Sequence, residues 1–256
     1  MDYVLNSIPD VYAVLIGGQP PAGENIAPRC ATGEIWIDGE RARDVAAHPA
    51  FKPVIDLKAR MDDDMAHEAA LADVMSFGDA GERYSTLLRP PTEKAHWHEK
   101  WRAVDAYLNH IGGILTRVGD ETVGEMWSLY DGRDVLSEID PRFGDNIDRH
   151  IHRVLPQDIF HVSANTDPKS DRSKRPQDQD HDMMVHVVKE TDAGIVLRGA
   201  KYETAASCAD QAFLKPTIAS WTDEQLSDYA VGCILRVGAA GVRHLCQLVS
   251  SKDEHG

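Results

Sequence analysis

With 256 residues, 42% of them hydrophobic and 27% charged, the chain is long enough to bury a sizeable core in one or two domains. A formal charge of -15 and a pI near 5.1 argue against a nucleic-acid-binding protein, which needs clustered Lys and Arg to displace counterions. Cys30, Cys208, Cys233 and Cys246 are far apart and show no C-x-x-C or zinc-finger spacing, so a reduced cytoplasmic protein is expected. No run approaches transmembrane length, and Met1–Ile16 lacks the basic region of a signal peptide.

Met1–Thr32 contains Gly17-Gly18-Gln19-Pro20-Pro21 and no sustained periodicity, so it reads as a divergent, loosely attached leader. Glu34–Asp38 alternates as a short strand, with Asp38-Gly39 as its turn. From Ile55 to Met75 apolar residues return at helical intervals through Leu57, Met61, Met65, Ala69 and Ala72. The triplet Asp62-Asp63-Asp64 falls on the wet face, since three consecutive carboxylates on a helix point in three directions and do not make a ligand set. After Pro90-Pro91, Thr92 is placed to cap a helix whose first turn carries Glu93. Trp97, Trp101, Val104, Leu108, Ile111 and Leu115 then follow at steps of four and three, and the stripe is expected to be core. Asp120 opens a helix through Val123, Met126, Trp127 and Tyr130 that ends near Asp131-Gly132, and Asp145–Leu155 forms another with Ile147, Ile151 and Val154 facing in. The pairs His96/His98 and His150/His152 are two apart on helices, point to different faces, and do not read as metal sites.

After Pro156 the character shifts to β. Strands are expected at Ile159–Ser163, Tyr229–Val237 and Val242–Val249, the last two joined by Gly238-Ala239-Ala240-Gly241. Met183–Lys189 and Gly194–Ala200 flank Glu190–Ala193, whose Thr191-Asp192-Ala193-Gly194 supplies turn residues, so they read as a hairpin. Helices followed by strands argue an α+β fold with segregated layers. Upstream of the hairpin, Asp167-Pro168-Lys169-Ser170-Asp171-Arg172 is a polar, Pro-stiffened loop that could hold a phosphorylated or flavin ligand or could equally be solvated. Gln177–Asp182 imitates the start of a calcium loop, but Met183 stands where Gly is needed and Lys189 where Glu is needed, so it reads as a polar connector.

The order DPK-x-DR, a polar spacer, VVKETDAGIVLRGAKYETAAS and KPTIASW resembles the flavin-dependent 4-hydroxyphenylacetate 3-monooxygenase oxygenase family. GEIWIDGER from Gly33, followed by Asp44-Val45 and His48-Pro49-Ala50-Phe51, resembles the N-terminal signature of the same family. The resemblance implies an acyl-CoA-dehydrogenase-like arrangement: a helical domain over residues 33–155, the beginning of an antiparallel β-barrel domain over 156–256, and a C-terminal helical bundle that is absent here. It further implies an FAD-dependent phenol ortho-hydroxylase, the oxygenase component of a two-component monooxygenase that receives reduced FAD from a separate flavin reductase. No G-x-G-x-x-G unit for a nicotinamide cofactor occurs in the chain. The full-length parent is expected to be a homo-oligomer acting on a small aromatic substrate. As a fragment or truncated product, the chain is expected to bind FAD weakly or not at all and to self-associate, or to serve only as an inactive binding module.

By the resemblance, Arg117 lies beside the phenol, where a fixed cation could stabilise phenolate. Ser163, Ala164, Asn165 and Thr166, with Lys169, Asp171 and Arg172, correspond to the segment lining the flavin, and Thr204, Ala205 and Ser207 lie opposite. Three positions depart from the pattern: Glu121 replaces a tyrosine, Ser163 replaces a histidine with His161 two residues away, and Ala205 replaces a threonine with Thr204 adjacent. 4-Hydroxybutyryl-CoA dehydratase shares the DPK-x-DR and RGAK elements, but it needs cluster-binding cysteines where this chain has Gly113 and Arg117.

Overall fold

The structure, a computed structural model, describes residues 3–6, 34–57, 59, 68–79, 82–113, 120–171, 173–191, 194–202, 209–216 and 224–246. The N-terminal half is organised by β2 (Glu34–Ile37), which turns back into β3 (Glu40–Arg41). Asp38 and Gly39 take φ of 48° and 86°, the two left-handed residues that a tight hairpin turn of this twist requires. Ile35 and Ile37 point inward, and Ile35 packs with Ala42, Val45 and Ile55. Residues 3–6, inside the stretch read as a loose leader, form strand β1 (Tyr3–Asn6).

Residues 52–57 and 59 are helical, as is α1 (Ala69–Met75); Met61, Met65 and the Asp62-Asp63-Asp64 triplet between them lie outside the described residues. A hairpin not expected from the sequence follows, β4 (Ser76–Asp79) with β5 (Glu82–Ser85), its Phe77 and Tyr84 rings 5.9 Å apart. Helix α2 (Lys94–His110) begins one residue later than Thr92 would set it: Glu93 is the N-cap residue, and the Thr92 hydroxyl lies 3.2 Å from the His96 ring instead.

The stripe assigned to the core of α2 holds for Val104, Leu108 and Ile111, which pack in the core, and is corrected at its two tryptophans. Trp97 is 51% and Trp101 72% exposed, while Lys100, Ala103 and Tyr107 are buried. Ala103 and Tyr107 pack with Ile111 against Met75 and Leu87. Steps of three and four describe several neighbouring rows on one helix. The row built on the small Ala103 is the one buried against the neighbouring elements, and the two large indoles remain outside it.

Helices α3 (Asp120–Asp131), α4 (Arg133–Ile139) and α5 (Pro141–Gln157) complete the helical part. The sequence reading missed the short α4, which packs on α5 so closely that a Cβ at Gly144 would come within 2.0 Å of Ser137 Oγ. Asp140 caps α5 by accepting the Arg142 N–H at 2.9 Å, Pro141 occupies the first turn, and Asp158 closes the helix with φ of 45°. Ile151 and Val154 are buried, as their spacing requires.

The β part is built on β6 (His161–Ala164), β7 (His186–Thr191), β8 (Gly194–Arg198), β9 (Gln211–Leu214) and β10 (Cys233–Arg236). β7 and β8 form the expected hairpin, and β1 pairs along the other edge of β8. A second sheet has the order β10-β9-β6. Val162, Ala164, Ala212 and Leu214 of that sheet meet Leu197 and Val185 in one core.

Two expectations change. The sheets are not wholly antiparallel, because β6 runs parallel to β9, with His161 opposite Gln211 and Ala164 opposite Leu214. The last two expected strands do not pair with each other: β10 pairs with β9, whereas β11 (Arg243–Cys246) crosses to β2 and runs parallel to it. Arg243 Nε donates to Glu34 Oε2 at 2.7 Å across that junction, and this bond, with one from Trp36, holds the Glu34 carboxyl below its ordinary range. Strands therefore occur in both halves, so helices and strands are not segregated along the chain. Among the described residues no helix is long and apolar enough to cross a membrane.

Candidate functional site

The end of β6 is where three separated sequence motifs converge. β6 carries Ser163 and Ala164 into the loop Asn165–Asp171, and the chain from β8 runs back alongside it, with the Tyr202 N–H donating to the Thr166 carbonyl at 2.7 Å. Lys201 Nζ lies 2.7 Å from Asp167 Oδ1, and the two side chains are only 8% and 16% exposed. On the other flank the Lys215 N–H donates to the Ala164 carbonyl at 3.2 Å. Lys215 Nζ reaches both carboxylate oxygens of Glu125 on α3 at 2.6 Å. Lys201 thus ties the loop to the hairpin, and Lys215 ties the strand end beside it to the helical part.

Gly199 makes this approach possible. Its φ is +128°, and a Cβ there would lie 2.4 Å from the Met184 carbonyl carbon and oxygen. Only glycine combines that dihedral with that clearance. The crossing is closed by the Ala200 N–H donating to the Met183 carbonyl at 3.1 Å.

The site residues read from the sequence divide into two groups. Ser163, Ala164, Asn165, Thr166, Lys169 and Asp171 sit together on this strand and loop. Ser163 is buried and its Oγ has no hydrogen-bond partner among the described residues. Ala164 faces the core, and its carbonyl is taken by Lys215. Asn165, Thr166 and Lys169 are exposed, with the Thr166 hydroxyl donating to Asn165 Oδ1 at 3.1 Å. The Asp171 carboxylate turns back on its own loop, accepting the Ser173 hydroxyl at 2.6 Å and the Ser173 N–H at 3.1 Å, and those bonds hold its carboxyl below the ordinary range. Arg117, Arg172, Thr204, Ala205 and Ser207 lie outside the described residues.

At the start of β6 His161 is buried against His150 of α5, their rings 5.2 Å apart. His161 Nδ1 lies 3.0 Å from the Ile159 carbonyl, and its Nε2 lies 2.9 Å from Gln211 Oε1 and 3.2 Å from His150 Nε2. Burial lowers the pKa of His161 to about 4, against hydrogen bonds to Gln211 and Ile159 that pull it up. Burial, with His161 and Arg153 nearby, lowers that of His150 to about 3. Burial thus favours the neutral form of both rings.

A separate cavity of about 370 Å³ lies on the helical side, lined by Asp73, Phe77, Thr86, Arg89, Glu99 and Arg102 among others. Arg89 is already committed there, paired with Glu99, 2.7 Å from His96 Nε2 and 4.8 Å from the Phe77 ring centre. None of the site residues read from the sequence lines it. Sequence reasoning missed Gly199, Lys201 and Lys215 as site-building residues. All three lie within the RGAK and KPTIASW stretches, where a charge or a glycine beside an otherwise apolar strand end was the available signal.

The loop at the end of β6, tied by Lys201 to the hairpin and flanked by the Lys215–Glu125 contact to the helical part, is the candidate site of a mixed α/β fold, and comparison with known proteins assigns the family. The family model described as 4-hydroxyphenylacetate 3-hydroxylase N terminal matches residues 29–255. The chain belongs to that family. It is 24% identical over 214 residues to the 4-hydroxyphenylacetate 3-monooxygenase oxygenase component of Thermus thermophilus, covering 83% of this chain and 43% of that one. It is 27% identical over 209 residues to 4-hydroxybutyryl-CoA dehydratase/vinylacetyl-CoA-Delta-isomerase of Clostridium aminobutyricum, covering 77% and 40%. Among solved structures, the oxygenase component of 4-hydroxyphenylacetate 3-monooxygenase complexed with FAD superposes with a TM-score of 0.76 at 23% identity, covering 88% of this chain and 47% of that one. The chain spans less than half the length of these relatives.

Proposed function

We propose that this chain forms the N-terminal helical domain (33–155) and the start of the β-barrel domain (156–256) of an acyl-CoA-dehydrogenase-like flavoprotein, and that it serves FAD-dependent ortho-hydroxylation of a small phenol. The observation that carries the reading is the convergence of the Asp167 loop, Lys201 and Lys215 on the end of β6, beside a buried Ser163 hydroxyl that has no hydrogen-bond partner among the described residues. The donor set fits a flavin: Ser163, Asn165 and Thr166 offer neutral hydrogen-bonding groups, and Lys169 offers an exposed ammonium for a phosphate. Bound as reduced FAD, the cofactor would supply the oxygen chemistry. The protein's own work would be to orient it, exclude water, and steady a phenolate through Arg117. Thr204, Ala205, Ser207, Asp171 and Arg172 complete the proposed cofactor wall.

A separate flavin reductase is the proposed partner, and homo-oligomerisation and a cytoplasmic location belong to the same reading. Glu121 and Ser163, where relatives place tyrosine and histidine, point to a phenol other than 4-hydroxyphenylacetate. A dehydratase role is disfavoured because no cysteine lies between Cys30 and Cys208 to hold an iron–sulfur cluster through thiolates. Titration of FAD into the purified chain, followed by flavin fluorescence, tests the reading. Saturable binding, weak but further weakened by Ser163→Ala, supports it. No saturable binding, together with no hydroxylated product when reductase, NADH and a panel of phenols are supplied, overturns it.

A further inference from the structure

The polar connector ahead of β7 ends in a cluster that flavin binding does not use. His186, the first residue of β7, is 1% exposed and its Nδ1 lies 2.9 Å from the Met184 carbonyl. A carbonyl only accepts, so Nδ1 carries the ring proton and Nε2 is left with its lone pair. That Nε2 is buried and has no hydrogen-bond partner among the described residues. The His181 ring stands edge-on to His186 with centroids 4.3 Å apart, and His181 Nδ1 is 3.5 Å from Asp182 Oδ1. One ligand atom from each of His181, Asp182 and His186 falls within 4.8 Å of the other two.

We propose that His181, Asp182 and His186 bind one divalent transition-metal ion of the zinc kind. Two neutral imidazoles and one carboxylate are the ligands of zinc, cobalt, nickel or ferrous ions, whereas calcium and magnesium demand oxygen donors throughout. Donors at ~2.0–2.2 Å from a tetrahedral ion stand roughly 3.3–3.6 Å apart. His181 and Asp182 are exposed, so small rotamer adjustments about the fixed His186 close the remaining distance. The carbonyl behind His186 Nδ1 is the kind of partner that orients a metal-bound histidine. Arg198 Nη1 is the competing cation, at 3.5 Å from each Asp182 oxygen. Those contacts are long, and one oxygen can keep the guanidinium while the other binds the ion. The fourth position is left to water.

Coordination would tie the turn at 181–183 to the root of β7. Met184 and Val185 between them are the backbone that Gly199 crosses, so the ion would brace the same crossing that positions Lys201. The site is independent of whether flavin binds. The test uses the full chain, stripped with EDTA and titrated with zinc chloride by calorimetry, then with cobalt chloride while its visible absorption is recorded. One equivalent of zinc should bind, calcium should not compete, and cobalt should give the intense visible bands of a low-coordinate site. His181→Ala and Asp182→Asn each remove an exposed ligand without touching the core and should weaken zinc binding roughly tenfold or more with unchanged circular dichroism. Absence of binding, or zinc binding of the same affinity and stoichiometry in both folded variants, overturns the proposal.

Discussion

Lys201 Nζ lies 2.7 Å from Asp167 Oδ1, joining the RGAK and DPK-x-DR stretches across 34 residues of sequence. Both side chains are largely withdrawn from solvent, so each charge depends on the other for the solvation it has lost. Removing one partner strands the other. Lys201→Met and Asp167→Leu should each cost about 3–5 kcal/mol, and the double variant should recover a large part of that loss. Urea unfolding of the four proteins checks it; additive losses in the double variant would show that the pair is not coupled.

Gly199 and Gly39 both have positive φ, and their surroundings separate two costs. A side chain at Gly39 meets nothing within 4 Å, so Gly39→Ala should lose only the left-handed strain of about 1–2 kcal/mol. At Gly199 the new methyl meets Met184 backbone at 2.4 Å, and backbone cannot rotate away as a flexible side chain can. Gly199→Ala should therefore cost clearly more, at least about 3 kcal/mol. Equal denaturation midpoints for the two variants would contradict the close crossing.

The buried histidine pair makes stability depend on pH. Folding lowers the pKa of His161 from 6.5 to about 4 and that of His150 from 6.5 to about 3. Between those values the unfolded chain binds more protons than the folded one, so stability rises with pH there. The contribution is complete above pH 6.5 and is lost as pH falls toward 4 and then 3. Near pH 5 the loss is on the order of 2 kcal/mol for each ring. Urea midpoints measured from pH 7.5 to 5 should fall, and His150→Gln should flatten the slope by about half. A slope unchanged by that substitution would place the titration elsewhere.

Local chemistry was legible in the sequence where it acts within a few residues. The β7–β8 hairpin is announced by β-branched runs around a Gly-containing turn, the β2–β3 turn by Asp38-Gly39, and the start of α3 by Asp120. Pairings between distant segments carry no local signature. β11 joins β2 across 209 residues at the Arg243–Glu34 contact, and the parallel partnership of β6 with β9 skips an entire hairpin. The same holds at the site. The stretch from Ser163 to Asp171 stands out as polar and motif-bearing, but nothing in it names Lys201 as the charge that holds it or Lys215 as the residue beside it that reaches the helical part. In the sequence His181 and Asp182 read only as part of the polar connector Gln177–Asp182, and His186 is not joined to them because their spacing fits no regular element; the irregular turn between them brings the rings together.

The exposed face of α2 gives the last prediction. Trp101 is 72% exposed and Tyr107 4%, so the side chain with the greater apolar area contributes less of it to the core. Trp101→Ala should change the stability of this chain by less than about 1 kcal/mol, because a surface truncation opens no cavity. Tyr107→Ala should cost about 3–5 kcal/mol, since Tyr107 is packed with Ala103 and Ile111 against Met75 and Leu87 and its removal leaves space that the helix cannot collapse to fill. Ala103→Leu should also destabilise, by about 1–3 kcal/mol, because a larger side chain must force apart elements that meet at a residue with no remaining exposure. Equilibrium unfolding of the three variants decides between the two rows of α2. A large loss from Trp101→Ala beside a small one from Tyr107→Ala would return the tryptophan stripe to the core and rotate the helix accordingly.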